Sequence, residues 1–116
     1  MASKIKMTEY KEKDLVVLEL KGNYVGGEET DELRDMIKKL SETGNKKLVI
    51  DLGGVLYLNS TALGVLISAH ANYSKREGKI KLCQLNKNLQ NLFVITKLAL
   101  IFDSYNDQQE AIVSFI

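Results

Sequence analysis

Few residue types in this 116-residue chain could carry chemistry, and the most suggestive of them sit together: Asn59-Ser60-Thr61, directly after an apolar run. A serine or threonine hydroxyl can act as a nucleophile when a base lies within hydrogen-bond reach. The only histidine is His70. If Ser60 and His70 share one helix, ten residues place them about 15 Å apart along its axis, too far for proton transfer. His70 is then a half-buried helix residue. The single cysteine, Cys83, cannot form a disulfide within the chain and reads as a small buried hydrophobe in a reducing compartment. Asp51 ends a strand-like run and reads as a hydrogen-bonding residue. Gly53-Gly54 follows that run but lacks the lysine of a phosphate-binding loop, and Gly26-Gly27 reads as a turn. No Cys/His set has metal spacing, so no metal, cofactor or catalytic residue is expected.

What remains is a hydroxyl at the start of a helix. Asn, Ser and Thr are preferred there because a side-chain oxygen accepts a free backbone N–H. The same position suits a switch. A helix N-terminus offers free N–H groups and partial positive charge. Phosphate on Ser60 would add a charge of about −1.5 to −2 without unfolding the helix, yet would repel a partner docked over neighbouring apolar residues such as Leu58 and Leu63.

The elements that must position this segment follow from periodicity. Ile5 to Tyr10 and Leu15 to Lys21 read as strands; in the second, Val16, Leu18 and Leu20 share one face. Glu28 to Thr43 reads as a helix with Leu33, Met36, Ile37 and Leu40 as its apolar stripe and Gly44 just past its end. Lys47 to Leu52 is a strand, Gly53 to Asn59 an apolar loop, and Ser60 to Arg76 a helix stopping at Gly78. Lys79 to Leu85 is a strand with Lys79 and Lys81 outward. Lys87 to Thr96 is a helix, Leu98 to Phe102 a last short strand, and Asn106 to Phe115 a helix capped by Asn106 with Gln109 three residues on. The order β-β-α-β-α-β-α-β-α predicts one α/β domain over residues 1–116. Its mixed sheet has four to five strands, with helices mainly on one face.

Bulk properties narrow the function classes. A net charge of +1 with both signs interspersed shows no basic block for nucleic acid. No apolar run reaches the length of a membrane span, and Met1-Ala2-Ser3-Lys4 carries no apolar signal core, so a cytoplasmic protein is expected.

The segment from Val49 to Leu66 resembles the signature of STAS domains, in particular the anti-sigma factor antagonists of bacterial sporulation and general stress systems. Asp51-Leu52, Val55, Ser60-Thr61 and Leu63-Gly64-Val65 match that signature. Gly22, Gly78-Lys79, Leu92-Phe93 and 107–111 extend the likeness along nearly the whole chain. The resemblance implies a non-enzymatic switch. The unphosphorylated protein binds an anti-sigma factor that is also a serine kinase, is released when Ser60 is phosphorylated, and is reset by a serine phosphatase. It places Thr61 as the second-choice acceptor. It places Tyr24, Val25, Gly26, Leu58, Asn59, Thr61, Leu63 and Gly64 in the docking surface. Three positions depart from the pattern: Asn59 stands for the acidic residue before the serine, Ala62 for a glycine, and Asn23 to Gly27 lacks the usual acid. Two other readings stay open. One is a STAS scaffold or transporter-associated subunit with a fixed partner; the other is a nucleotide-binding module.

Overall fold

The computed structural model describes residues 4–116; Met1, Ala2 and Ser3 of the N-terminal stretch considered above lie outside the described residues. Five strands form one sheet in the order β1-β2-β3-β4-β5. These are β1 (Ile5–Tyr10), β2 (Leu15–Tyr24), β3 (Lys47–Leu58), β4 (Lys79–Cys83) and β5 (Ser104–Tyr105). The opening hairpin β1–β2 is antiparallel and every later pairing is parallel. Parallel neighbours need crossover connections. Three helices supply them: α1 (Glu28–Glu42), α2 (Ser60–Lys75) and α3 (Lys87–Ile95). The short α4 (Gln108–Val113) closes the chain. The expected element order and α/β class are those observed.

The two-residue period of β2 decides the layers. Val16, Leu18 and Leu20 join the main core with Leu33 and Ile37 of α1, Leu66 and Tyr73 of α2 and Phe93 of α3. Their neighbours Leu15 and Val17 face the other way. There, with Val49 and Cys83, they meet Ala111 and Ile112 of α4. Three helices thus cover one face and α4 covers part of the other. Each large aliphatic side chain buried in this way contributes about 1.5–3 kcal/mol. Gly44, at φ 96°, takes the left-handed position after α1, as its place past the stripe suggests.

Four local expectations are corrected. Gly53 to Asn59 is not a loop: β3 continues to Leu58, because Val55 and Leu58 stay buried and pair with Gly22 and Tyr24. The glycines serve a bulge rather than a break. A Cβ at Gly54 would lie 2.8 Å from the Leu20 carbonyl oxygen, so only glycine allows β2 and β3 to approach there. Leu98 to Phe102 is not a strand. Leu98–Leu100 forms a 3-10 turn, and Leu98 and Phe102, four apart, enter the core together while Leu100 is 84% exposed. A strand would have put all three on one face. The cap of α4 is Asp107, whose Oδ1 accepts from the Glu110 N–H at 2.8 Å; Asn106 lies one residue too early. Finally, Lys81 does not point into solvent. It is buried beneath α4, its Nζ donating to the Ser114 carbonyl and hydroxyl and lying 4.3 Å from the Phe115 ring centroid. α4 covers the polar face of β4, and the cation stabilises the C-terminal carbonyls of that helix.

Candidate functional site

Ser60 is the first residue of α2, separated from the end of β3 by Asn59 alone. The junction is that tight because Asn59 does three jobs. Its N–H donates to the Tyr24 carbonyl at 3.1 Å, which prolongs the β2–β3 pairing by one bond. Its own carbonyl accepts from Leu63 N–H, the first helical bond. Its Oδ1 accepts from Ala62 N–H at 3.0 Å, the N-cap bond. Helix geometry leaves the Ser60 and Thr61 N–H groups without an intrahelical acceptor. Both side chains are exposed, and the first turn of α2 holds no acidic residue. The expected cap and exposed hydroxyl pair therefore stand on one sixteen-residue helix whose N-terminal partial charge is positive.

The loop from Tyr24 to Gly27 lies against this point. A Cβ at Gly26, which has φ 89°, would sit 3.6 Å from Cβ and Cγ2 of Thr61. Gly26 N–H donates to Thr30 Oγ1 at 2.9 Å, which fixes the loop to α1. α1 and α2 both begin at the carboxyl ends of parallel strands, so their N-termini share one pole of the molecule.

Not every residue placed in the docking surface offers its side chain there. Tyr24, Leu58 and Leu63 are buried and shape the pole from beneath. The Tyr24 hydroxyl lies near the Lys21 backbone without a well-formed hydrogen bond, and burial pushes its pKa up to about 12. Val25, at 49% exposure, does face outward, as do Thr61 and the half-buried Gly64. A pair that sequence reasoning left out of the docking surface is also exposed: Leu56, at 71%, and Tyr57, at 55%, near the end of β3. β4 pairs with β3 only as far as Asp51, so this stretch lies beyond the end of its neighbour. The signal was present as an apolar run, but the run's strand conformation was needed to tell its outward residues from Val55 and Leu58.

Asp51 underlies the same segment. It is buried, and its carboxylate accepts from Gly53 N–H and Gln84 Nε2 at 2.8 Å and from Gln108 Nε2 at 2.9 Å. This is the hydrogen-bonding role expected of it. Cys83, buried beside Asp51, has its thiol pushed up to about 12, by burial first and the Asp51 charge second. His70 is half-buried and makes an edge contact with the Phe102 ring, 5.4 Å between centroids. It shares α2 with Ser60, so the helical spacing keeps the two apart. Among the described residues no group of three His, Cys, Asp or Glu could hold a metal, and no helix is long and apolar enough to cross a membrane.

The profile of the STAS domain family matches residues 6–111. The chain belongs to the STAS domain family. This STAS domain is 39% identical over 71 residues to the anti-sigma-B factor antagonist of Bacillus subtilis, an alignment covering 61% of this chain and 64% of that one. It is 27% identical over 74 residues to BtrV of Bordetella bronchiseptica, covering 64% of each. The match thus spans a little under two thirds of both curated relatives. Among solved structures, TM1081 of Thermotoga maritima superposes with a TM-score of 0.83 at 20% identity, covering 96% of this STAS domain and 92% of that chain. The Bacillus cell-fate determinant SpoIIAA in its phosphorylated form superposes with a TM-score of 0.77 at 14% identity, covering 97% and 99%. These two likenesses establish the fold.

Proposed function

We propose that this STAS domain is a cytoplasmic anti-sigma factor antagonist. Unphosphorylated, it docks through the Ser60 pole on an anti-sigma factor that is also a serine kinase. Phosphorylation of Ser60 releases it, and a serine phosphatase resets it. The observation that carries this reading is the placement of Ser60: an exposed hydroxyl opening a long helix without acids in its first turn, just past the end of β3, where Leu56 and Tyr57 are exposed, and next to the loop that carries exposed Val25. A phosphate there meets free N–H groups and a favourable dipole, so the free domain keeps its fold. Under a docked apolar surface the same phosphate is desolvated. An unpaired buried charge of that kind costs several kcal/mol, and about 4 kcal/mol weakens a complex roughly a thousandfold. The name of the Bacillus subtilis relative and the existence of SpoIIAA in unphosphorylated and phosphorylated forms support the same reading.

Phosphosite mapping by mass spectrometry, on protein isolated from its own cells with phosphatase inhibitors, tests it. Phosphate on Ser60 is expected, with Ser60→Asp folding normally but losing the anti-sigma factor and Ser60→Ala keeping it. Phosphate on Thr61 alone would keep the switch and move the residue. No phosphate under any growth or stress condition, together with full binding by Ser60→Asp, would overturn it. That outcome favours a scaffold with a fixed partner, for which the exposed Val25, Leu56 and Tyr57 suffice without a phosphate.

A further inference from the structure

The net charge of +1 hides two poles of opposite sign. At the amino-terminal ends of the parallel strands stand Lys46, Lys47, Lys79 and Lys81, joined by Lys75 and Arg76 from the end of α2. Four of these lysines line one open cleft of about 640 Å³, with Glu77 on its rim. Glu9 and Asp14 line the neighbouring cleft with Lys46 and Lys47, but among the described residues they form no ion pair with them. Lys46 Nζ donates to the Arg76 carbonyl, Lys47 Nζ to the Lys13 carbonyl and Lys81 Nζ to Ser114, all neutral acceptors. Of the six, Lys79 alone forms an ion pair among the described residues, at 2.8 Å from Asp103. Helix-dipole compensation explains Lys75 and Arg76, and Lys81 buried beneath α4, but not Lys46, Lys47 and Lys79 at the strand starts and the approach to them.

The opposite pole carries the complement. Within the first eight residues of α1 lie Glu28, Glu29, Asp31, Glu32 and Asp35, where Arg34 is the only cation and is held by Asp31 at 2.8 Å. Along α1 these acids stand about 10 Å (Asp35) to about 21 Å (Glu28) from the helix's far end. These distances exceed the Debye length of about 8 Å at physiological salt, so the poles do not neutralise each other within one molecule. They can do so between molecules. We propose that the basic cleft is a docking site for the acidic amino-terminal turns of α1 of a second copy, giving a heterologous, head-to-tail association. Patches of opposite sign steer such an encounter and set its orientation. The acidic pole also carries Ser60, so a docked copy covers part of the surface assigned above to the partner. The inference itself needs neither the phosphate nor the anti-sigma factor.

Sedimentation velocity on the unphosphorylated chain tests it. At about 25 mM salt the weight-average mass should rise above 13.0 kDa with protein concentration; at about 500 mM it should return to the monomer, with association at least tenfold weaker. Lys46→Glu/Lys75→Glu and Glu28→Lys/Asp35→Lys should each remain monomeric at low salt. An equal mixture of the two should form a heterodimer that grows no further, because one complementary pair of poles survives. Far-UV circular dichroism checks the fold of each variant, and Lys46→Gln/Lys75→Gln replaces the first if it is impaired. A monomer at low salt at every concentration overturns the inference, as does association that salt and both reversals leave unchanged.

Discussion

Replacing Asp51 with alanine should destabilise this domain substantially, although Asp51 is polar and lies beneath the Ser60 pole. The Asp51 carboxylate is buried and accepts three hydrogen bonds, from Gly53 N–H, Gln84 Nε2 and Gln108 Nε2. They tie the start of the β3 extension to the residue after β4 and to the first turn of α4. A hydrogen bond to a charged group contributes about 1.5–3 kcal/mol. The three are not additive, since they share one acceptor group. Gln84 is exposed and recovers water when its partner is lost. Gly53 N–H and the half-buried Gln108 amide recover less. Offsetting this, alanine removes the cost of burying a carboxylate. The balance is a loss of about 3 kcal/mol. Urea unfolding followed by circular dichroism reads it as a lower midpoint with an unchanged slope. Asp51→Asn keeps one acceptor oxygen but turns an amide toward two amide donors, and should fall between wild type and alanine. A loss below about 1 kcal/mol for Asp51→Ala would refute the reasoning, because it would mean that the network's donors find water as readily as they find Asp51.

Three further outcomes follow from the same geometry. Asn59→Ala removes the cap on Ala62 N–H and should cost about 1 kcal/mol in urea unfolding, whereas Asn59→Asp keeps the bond and should cost little or nothing. Gly54→Ala places a methyl 2.8 Å from the Leu20 carbonyl and should cost about 1–3 kcal/mol; wild-type stability would mean that the β2–β3 bulge yields freely. Cys83 should resist thiol reagents in the folded protein, and its raised pKa carries a pH dependence of definite sign. The unfolded thiol ionises near 8.5 while the folded one stays protonated to about 12, so stability falls as pH rises through this window, by about 1 kcal/mol between pH 8.5 and 9.5. Cys83→Ala should remove that part of the slope, and an unchanged slope would assign it to other groups.

Much of the molecule was legible along the chain because its information is local. The period of Leu33, Met36, Ile37 and Leu40, the alternation in β2 and the glycine at position 44 each report a conformation that neighbours in sequence enforce. So does Asn59-Ser60-Thr61, since an N-cap is a contact across three residues. Long-range contacts decided the rest. Gly53-Gly54 reads as a break to any local rule; only the close approach of the Leu20 carbonyl makes it a bulge within a continuous strand. Lys81 alternates like a solvent-facing residue, and it is buried because α4 returns from the end of the chain to cover that face. Leu98, Leu100 and Phe102 fit a strand until the core takes the first and last and leaves the middle one outside. At the Ser60 pole the sequence by itself determined which hydroxyl opens the helix. Which apolar side chains stand beside it was decided in three dimensions: Leu58 and Leu63 turn inward, Leu56 and Tyr57 outward, because burial depends on what else the sheet and helices bring to each face.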